Sequence, residues 1–189
     1  MSRSVKEVIE CVPNVWKSEA AFWSYVKGGI RKGIWSRHPV KIAFIQKHRK
    51  RIPNPNPKGK SDTVWGCTCA ICGVAKSQNL IEVDHKIDDA ARLTKTEHLQ
   101  RCFELLCLIT FDDLQLVCKE CHKIKSYADR QGISFEEARI EKQAIEFSKK
   151  NVKDQTNILT NTCGYEIIAS SAQKRREQYK QWLIKQKDK

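Results

Sequence analysis

The sequence predicts an α+β protein in which a small β-containing centre lies between helical N- and C-terminal regions. Three observations support this fold class: two short apolar strands at residues 80–85 and 114–117, amphipathic spacing in the segments beside them, and two cysteine pairs that bracket the strands. We divide the 189 residues into a basic helical N-terminal region with a linker (1–61), a centre (62–131) and a basic helical C-terminal region (132–189).

The N-terminal region contains two predicted helices and a proline-rich segment. Residues 19–33 have apolar side chains at helical spacing behind Ser18, a favoured N-cap residue. A second helix begins at Pro39, because proline suits the first helical position. Residues 52–60 contain three prolines, which remove backbone donors and restrict the preceding residues, and therefore predict a linker.

Hydrophobic spacing and capping residues also predict the elements of the centre and the C-terminal region. Their predicted elements are a β region (64–85), an amphipathic helix (96–107), a strand (114–117) and helices over 119–130, 135–150 and 171–187. Cys102 lies on the apolar face of the predicted helix of 96–107 and is expected to pack in the core. Ser134 and Glu137 form the capping-box pattern before the helix of 135–150.

Charge distribution points to a polyanionic partner. The net charge is +13, and the three regions carry +11, −4 and +6 in chain order. No acidic residue occurs between Glu19 and Asp62, and such a basic segment suits contacts to phosphates. A solvated basic surface is the alternative interpretation. The absence of a long apolar stretch argues against a membrane span, and the N-terminus lacks a secretory pattern, so we expect a cytoplasmic protein.

Two C-x2-C pairs predict a structural zinc site. Cys69 and Cys72 form one pair, and Cys118 and Cys121 form the other. In a reducing compartment, paired cysteines at this spacing are metal ligands more often than disulfides, and two pairs complete a tetrahedral Zn²⁺ site. Cys67 is an alternative ligand, although C-x-C spacing is less usual.

A second group of residues predicts a catalytic metal. A four-thiolate zinc site has no open coordination position, so chemistry at this centre needs a second, harder cation. Asp84 at the end of a strand and His122 directly after Cys121 offer a carboxylate and an imidazole as its ligands. His85 points to the opposite face of the strand from Asp84, and its neutral imidazole suits deprotonation of water.

These motifs resemble a known nuclease family. EVDHK (82–86), CAICG (69–73) and DDLQLVCKECHKIKS (112–126) resemble the HNH motif in its ββα-metal form with a four-cysteine zinc. Residues 21–45, 126–138 and 171–178 are similar to the flanks of phage-encoded, free-standing homing-type endonucleases.

The resemblance implies a mechanism and a set of partners. His85 would be the general base, while Asp84 and His122 would bind one catalytic Mg²⁺ or Mn²⁺ that stabilises the developing charge, leaving 5′-phosphate and 3′-hydroxyl ends. Asp113 stands where the family name has an asparagine, so it can accept but not donate hydrogen bonds as an amide does. We expect double-stranded DNA as the partner of a monomer or weak dimer in the host cytoplasm, with no membrane and no small-molecule cofactor.

Seven basic residues are the predicted DNA contacts, six of them outside the centre and one, Lys125, in the predicted helix of 119–130. They are Arg31, Lys32, Arg37, Lys125, Lys174, Arg175 and Arg176. Which element reads bases stays open. Two other functions compete with the homing-type nuclease: a non-catalytic zinc-ribbon protein that binds DNA in a regulatory role, and an HNH nuclease that assists phage DNA packaging.

Overall fold

The computed structural model describes residues 3–12, 14–56, 58–87 and 93–187. Within these residues, eight α-helices and two small antiparallel sheets confirm the predicted α+β class. Contacts divide the chain into two compact units, Met1–Lys119 and Glu120–Lys189. This boundary falls inside the predicted centre of 62–131, and the three-part division stays a prediction.

Three helices begin the first unit: α1 (Val5–Cys11), α2 (Glu19–Gly33) and α3 (Pro39–His48). The predicted bounds of α2 are confirmed, and the Ser18 hydroxyl accepts a hydrogen bond from the Ala21 N–H at 3.2 Å. The predicted start of α3 at Pro39 is also confirmed. Helix α1 was not predicted, although Ser4 and Glu7 form a capping box in front of it.

A three-stranded antiparallel sheet follows, in the order β1 (Lys50–Pro53), β2 (Thr63–Thr68) and β3 (Ala75–Ser77). Strand β1 corrects the linker prediction, because Ile52 and Pro53 pair with β2 instead of connecting two regions. The edge position of β1 explains why proline is tolerated there. Pro57, in the remainder of the predicted linker, lies outside the described residues.

A second sheet and a helix complete the first unit: β4 (Ile81–His85), α4 (His98–Cys107) and β5 (Leu114–Cys118). Strands β4 and β5 pair antiparallel from Ile81↔Cys118 to His85↔Leu114, and both lie within one residue of their predicted positions. The core prediction for Cys102 is confirmed, since it is buried with Trp23, Leu93 and Leu106 in one apolar cluster.

The second unit is helical, with α5 (Lys119–Gln131), α6 (Phe135–Ser148), α7 (Val152–Asn157) and α8 (Ala172–Lys187). The predicted capping box is confirmed, because Ser134 Oγ accepts from the Glu137 N–H at 3.2 Å and Glu137 Oε2 accepts from the Ser134 N–H at 2.9 Å. Helix α7 and the π-helical turn after it (Ile158–Thr162) were not predicted.

Aromatic stacking organises the core of the second unit. The ring of Phe147 stacks on Tyr179 at 4.3 Å, and Tyr179 stacks on Trp182 at 5.8 Å between ring centroids. Leu159, in the π-helical turn, is fully buried. This core joins α6 to α8 through the face of α8 that carries Tyr179 and Trp182. None of the described helices is both long enough and apolar enough to span a membrane.

Candidate metal centre and active site

Four cysteines form a cluster with the geometry of a metal site. The sulfur atoms of Cys69, Cys72, Cys118 and Cys121 all lie within 4.8 Å of one another. Zn–S bonds of about 2.3 Å in a tetrahedron place sulfurs about 3.8 Å apart, so the cluster suits Zn²⁺ after a small contraction. Cys67, the alternative ligand, is buried but is not a member of the cluster. The four predicted ligands are therefore brought together as a candidate zinc site.

Backbone hydrogen bonds shape the turn that carries the first cysteine pair. The Gly73 N–H donates to the Cys69 carbonyl at 2.9 Å, and the Cys69 N–H donates to the Val74 carbonyl at 3.0 Å. Gly73 has φ +70°, a left-handed conformation that favours glycine. The Ala70 N–H donates to the Leu116 carbonyl at 2.7 Å, which fixes this turn against β5 and hence near Cys118.

The electrostatics of the turn favour a thiolate. Burial raises the pKa of the Cys69 thiol, but backbone hydrogen bonds from Cys72, Cys118 and Ile71 outweigh burial and lower its pKa to about 7. The Cys118 N–H lies 3.3 Å from Cys69 Sγ. Because the thiolate is the form that binds metal, this arrangement prepares Cys69 for coordination.

Asp84 and His85 lie at the end of β4 and point to opposite faces of the sheet. Asp84 pairs with Gln115 and His85 with Leu114, and both titratable side chains are buried, at 7% and 8% exposure. Gln115 Nε2 donates to Asp84 Oδ2 and to the His85 carbonyl, both at 3.2 Å. Gln115 therefore orients the Asp84 carboxylate. Sequence reasoning did not assign Gln115, although its place opposite Asp84 follows once the strand register is known.

Trp35 covers one face of the His85 ring. The two rings stack with centroids 4.3 Å apart and an interplanar angle of 25°. Lys41 Nζ lies 4.7 Å from the centroid of the Trp35 ring, and burial lowers the pKa of this lysine. His85 also lines a cavity of about 230 Å³ whose wall includes Asp113. His85 therefore borders this cavity, while Trp35 covers one face of its ring.

Asp113 orders the turn that leads into β5. Its Oδ2 accepts hydrogen bonds from the Thr110 N–H at 2.7 Å and the Thr110 hydroxyl at 2.9 Å, and its carbonyl accepts from the Lys86 N–H at 2.9 Å. The hydrogen bonds from Thr110 lower the pKa of the carboxyl group. The side-chain oxygen of an asparagine could accept the same two hydrogen bonds. The aspartate at position 113 can therefore order this turn in the same way as the asparagine of the family motif. A catalytic role for Asp113 stays a prediction.

His122 and Lys125 lie on α5, with His122 in its first turn directly after Cys121. Both side chains are partly exposed. Within the described residues, the cysteine cluster is the one group found that brings three or more histidine, cysteine or carboxylate ligands together. The two-ligand catalytic site of Asp84 and His122 therefore stays a prediction, as does the phosphate contact of Lys125.

The predicted DNA contacts have unequal surroundings. Arg31, Lys32 and Arg37 are exposed at the end of α2 and in the turn after it, and Lys174 is exposed on α8. Arg176 is partly exposed and its Nη2 lies 2.8 Å from Glu141 Oε2. The DNA-binding roles of these residues stay predictions.

The structure corrects the prediction for Arg175. The side chain is buried, at 6% exposure, and its Nε donates to Gln155 Oε1 at 2.8 Å. Its Nη1 donates to the Ala169 carbonyl at 3.1 Å and to the Ser170 carbonyl. The prediction that Arg175 contacts DNA is wrong, because its donors are used to hold the segment before α8 against α7.

Replacing Arg175 with methionine is expected to lower the free energy of unfolding by about 3 kcal/mol, because buried acceptors lose a charged donor. Chemical denaturation followed by circular dichroism measures this change. The slope of DNA affinity against salt concentration should stay at its wild-type value. Near-normal stability combined with a weaker salt dependence would restore Arg175 to the DNA surface.

Comparison with known proteins gives no further assignment. No family model, curated protein or solved structure matches this chain. The resemblance to HNH nucleases therefore rests on the short motifs, and the cysteine cluster is the feature of that resemblance that the structure reproduces.

Proposed function

We propose that this protein is a metal-dependent DNA endonuclease, of the phage-encoded homing type, with His85 as its general base. The observation that carries the proposal is the order of elements around the motif residues. Strand β4 ends at Asp84 and His85, pairs in register with β5, and β5 leads without interruption into α5, whose first turn contains His122. This is the ββα order that the HNH motif requires.

The donor set suits a catalytic divalent cation. Asp84 offers a carboxylate and His122 an imidazole, and this small N/O set leaves positions for water and phosphate oxygens on Mg²⁺ or Mn²⁺. When bound, such an ion would neutralise charge that develops on the phosphate and the leaving oxygen. Gln115 supports the ligand role of Asp84, since its amide fixes one carboxylate oxygen. Zinc in the four-cysteine cluster would have a structural role.

His85 would generate the nucleophile. Its neutral imidazole accepts a proton from water, the water oxygen bonds to phosphorus, the bond to the 3′ oxygen breaks, and that oxygen takes a proton from solvent water. The products are a 5′-phosphate and a 3′-hydroxyl. Stacking on Trp35 fixes the plane of the imidazole, so the ring needs little reorientation before proton transfer.

The assignment of the two metal ligands can be tested by comparing cleavage with binding. Asp84→Ala and His122→Ala should each lower the rate of supercoiled plasmid nicking in Mg²⁺ by about 100-fold or more, because charge stabilisation worth several kcal/mol is lost. Duplex affinity, measured by gel shift, should change little. Asp62→Ala, which removes an exposed carboxylate, is the control and should cut normally.

Two results would contradict this assignment. Affinity losses as large as the losses in cleavage would place Asp84 and His122 in the DNA contact surface. Normal cleavage by either variant would remove that residue from the metal site.

A non-catalytic zinc-ribbon protein that binds DNA is the second candidate. The observation that favours it is the burial of His85 beneath Trp35, which restricts access of water to the proposed base. This candidate predicts saturable duplex binding without nicking of any DNA, including the genomic sequence that neighbours the gene, in either Mg²⁺ or Mn²⁺.

A further inference from the structure

An exposed tryptophan on the first sheet lies against two arginines. The Cζ atoms of Arg49 and Arg51 are each 4.4 Å from the ring centroid of Trp65, and Trp65 is 39% exposed. We call these three residues the Arg–Trp–Arg face. None of them belongs to the metal centre or to the DNA contacts named individually from the sequence, although both arginines lie in the basic segment between Glu19 and Asp62.

The strand register explains this arrangement. Arg51 on β1 pairs directly with Trp65 on β2, and Arg49 lies two residues earlier, so both arginines point to the same side of the sheet as the indole. The opposite side is closed, since Ile52 is buried and a Cβ on Gly66 would come within 2.4 Å of Ile52 Cδ1. The indole and the guanidinium groups therefore remain on the solvent side.

The charge of this face is not balanced locally. Neither Arg49 nor Arg51 forms an ion pair with any carboxylate among the described residues. A surface with this charge is complementary to a polyanion.

We propose that the Arg–Trp–Arg face binds the phosphate backbone of duplex DNA, an inference that rests on the proposed function in taking DNA as the substrate. The planar guanidinium group matches phosphate oxygens with two parallel hydrogen bonds. Contact with one indole restricts the rotamers of both arginines before binding, which reduces the entropy lost when they engage phosphates.

The location of this face supports a positioning role. Strand β2 ends at Thr68, and the next residue, Cys69, is a member of the cysteine cluster. Arg51 pairs with β2, and β2 leads directly to the cysteine cluster, so a phosphate bound by Arg51 would have a fixed position relative to the metal centre. Contacts of this kind set the register of a protein on DNA without reading sequence.

Duplex DNA fits this face better than a stacked single strand. Nucleobases stack on open aromatic faces, whereas guanidinium groups already lie over the Trp65 ring. The indole then holds the two guanidinium groups in place, and the guanidinium groups bind the phosphates. A single strand that stacks on Trp65 is the outcome that would contradict this arrangement.

Fluorescence anisotropy with labelled duplex DNA and no added divalent cation tests the proposal. The double variant Arg49→Gln/Arg51→Gln should bind at least tenfold more weakly, and the slope of log affinity against log salt should fall by about 1.8, which corresponds to two phosphates. The matched control, Lys6→Gln/Lys153→Gln, removes two exposed charges elsewhere and should retain a slope closer to wild type.

A second variant separates the indole from the charges. Trp65→Leu keeps the net charge but releases both arginines, so duplex affinity should fall several-fold with a smaller change in slope. Zinc content and thermal unfolding verify that each variant is folded. If Trp65→Leu does not fold, the double arginine variant decides the question.

Three results would overturn the inference or its basis. The inference would be overturned if the arginine variant and the lysine control had the same slope of log affinity against log salt. It would also be overturned if the arginine variant lost affinity for single-stranded DNA alone. Failure of the wild-type protein to bind any duplex would instead remove the proposed function. Normal wild-type binding with a control-like arginine variant would remove only the role of this face.

Discussion

Replacing Cys118 with serine will release zinc and unfold the centre of the protein. Cys118 is buried at the end of β5, and its sulfur lies in the four-cysteine cluster. Structural zinc contributes about 10–16 kcal/mol in small zinc domains, so loss of one thiolate removes more free energy than a domain of this size can spare. Metal analysis and circular dichroism should show zinc well below one atom per chain and loss of the cooperative thermal transition.

Two cysteine variants serve as controls for this result. Cys11→Ser changes an exposed residue of α1, and it should keep one zinc atom per chain and the wild-type transition. Cys67→Ser should also keep zinc, although burial of this side chain allows some loss of stability. Retention of zinc by Cys118→Ser, or loss of zinc from Cys67→Ser at an unchanged fold, would contradict the ligand assignment.

Replacing His85 with alanine will lower the rate of DNA cleavage by about 10²–10⁴-fold, the usual contribution of a general base. Duplex affinity and zinc content should stay close to wild type, since His85 is assigned to proton transfer. Plasmid nicking in Mg²⁺ measures the rate. Because Trp35 stacks on His85, alanine also leaves a gap, so His85→Gln is the second variant: it fills more of the space but cannot act as a base near pH 7.

The control is His98→Gln, which changes a histidine at the start of α4 and should cut at the wild-type rate. If His85→Gln folds, keeps zinc and cuts as fast as wild type, His85 is not the base. If both His85 variants lose zinc or duplex affinity in proportion to cleavage, the residue supports the fold instead.

Features set by local sequence were predicted well. The start of α2 follows from Ser18, the start of α3 from Pro39, and the start of α6 from the capping box of Ser134 and Glu137. The metal cluster was also predictable, because each C-x2-C pair places two sulfurs on one turn and only the meeting of the two turns depends on tertiary structure.

Features that depend on distant contacts were not predictable in the same way. Arg175 belongs to a run of basic residues, and its burial requires the carbonyl groups of Ala169 and Ser170 together with Gln155. The stacking of Trp35 on His85 joins residues far apart in the chain, and no periodicity reports it. Strand β1 was missed because Pro53, like the prolines that follow it, counts against a strand unless its edge position is known.

The chemistry of DNA ends produced by the zinc-loaded wild-type protein tests the central claim most directly. Supercoiled plasmid and genomic DNA from the native source, incubated with Mg²⁺ or Mn²⁺, should acquire breaks that carry 5′-phosphate and 3′-hydroxyl groups, and a ligase should seal nicks of this kind. No breaks with either metal, at protein concentrations that saturate the DNA, would contradict the endonuclease assignment. Breaks that form equally well without a divalent cation would contradict it too.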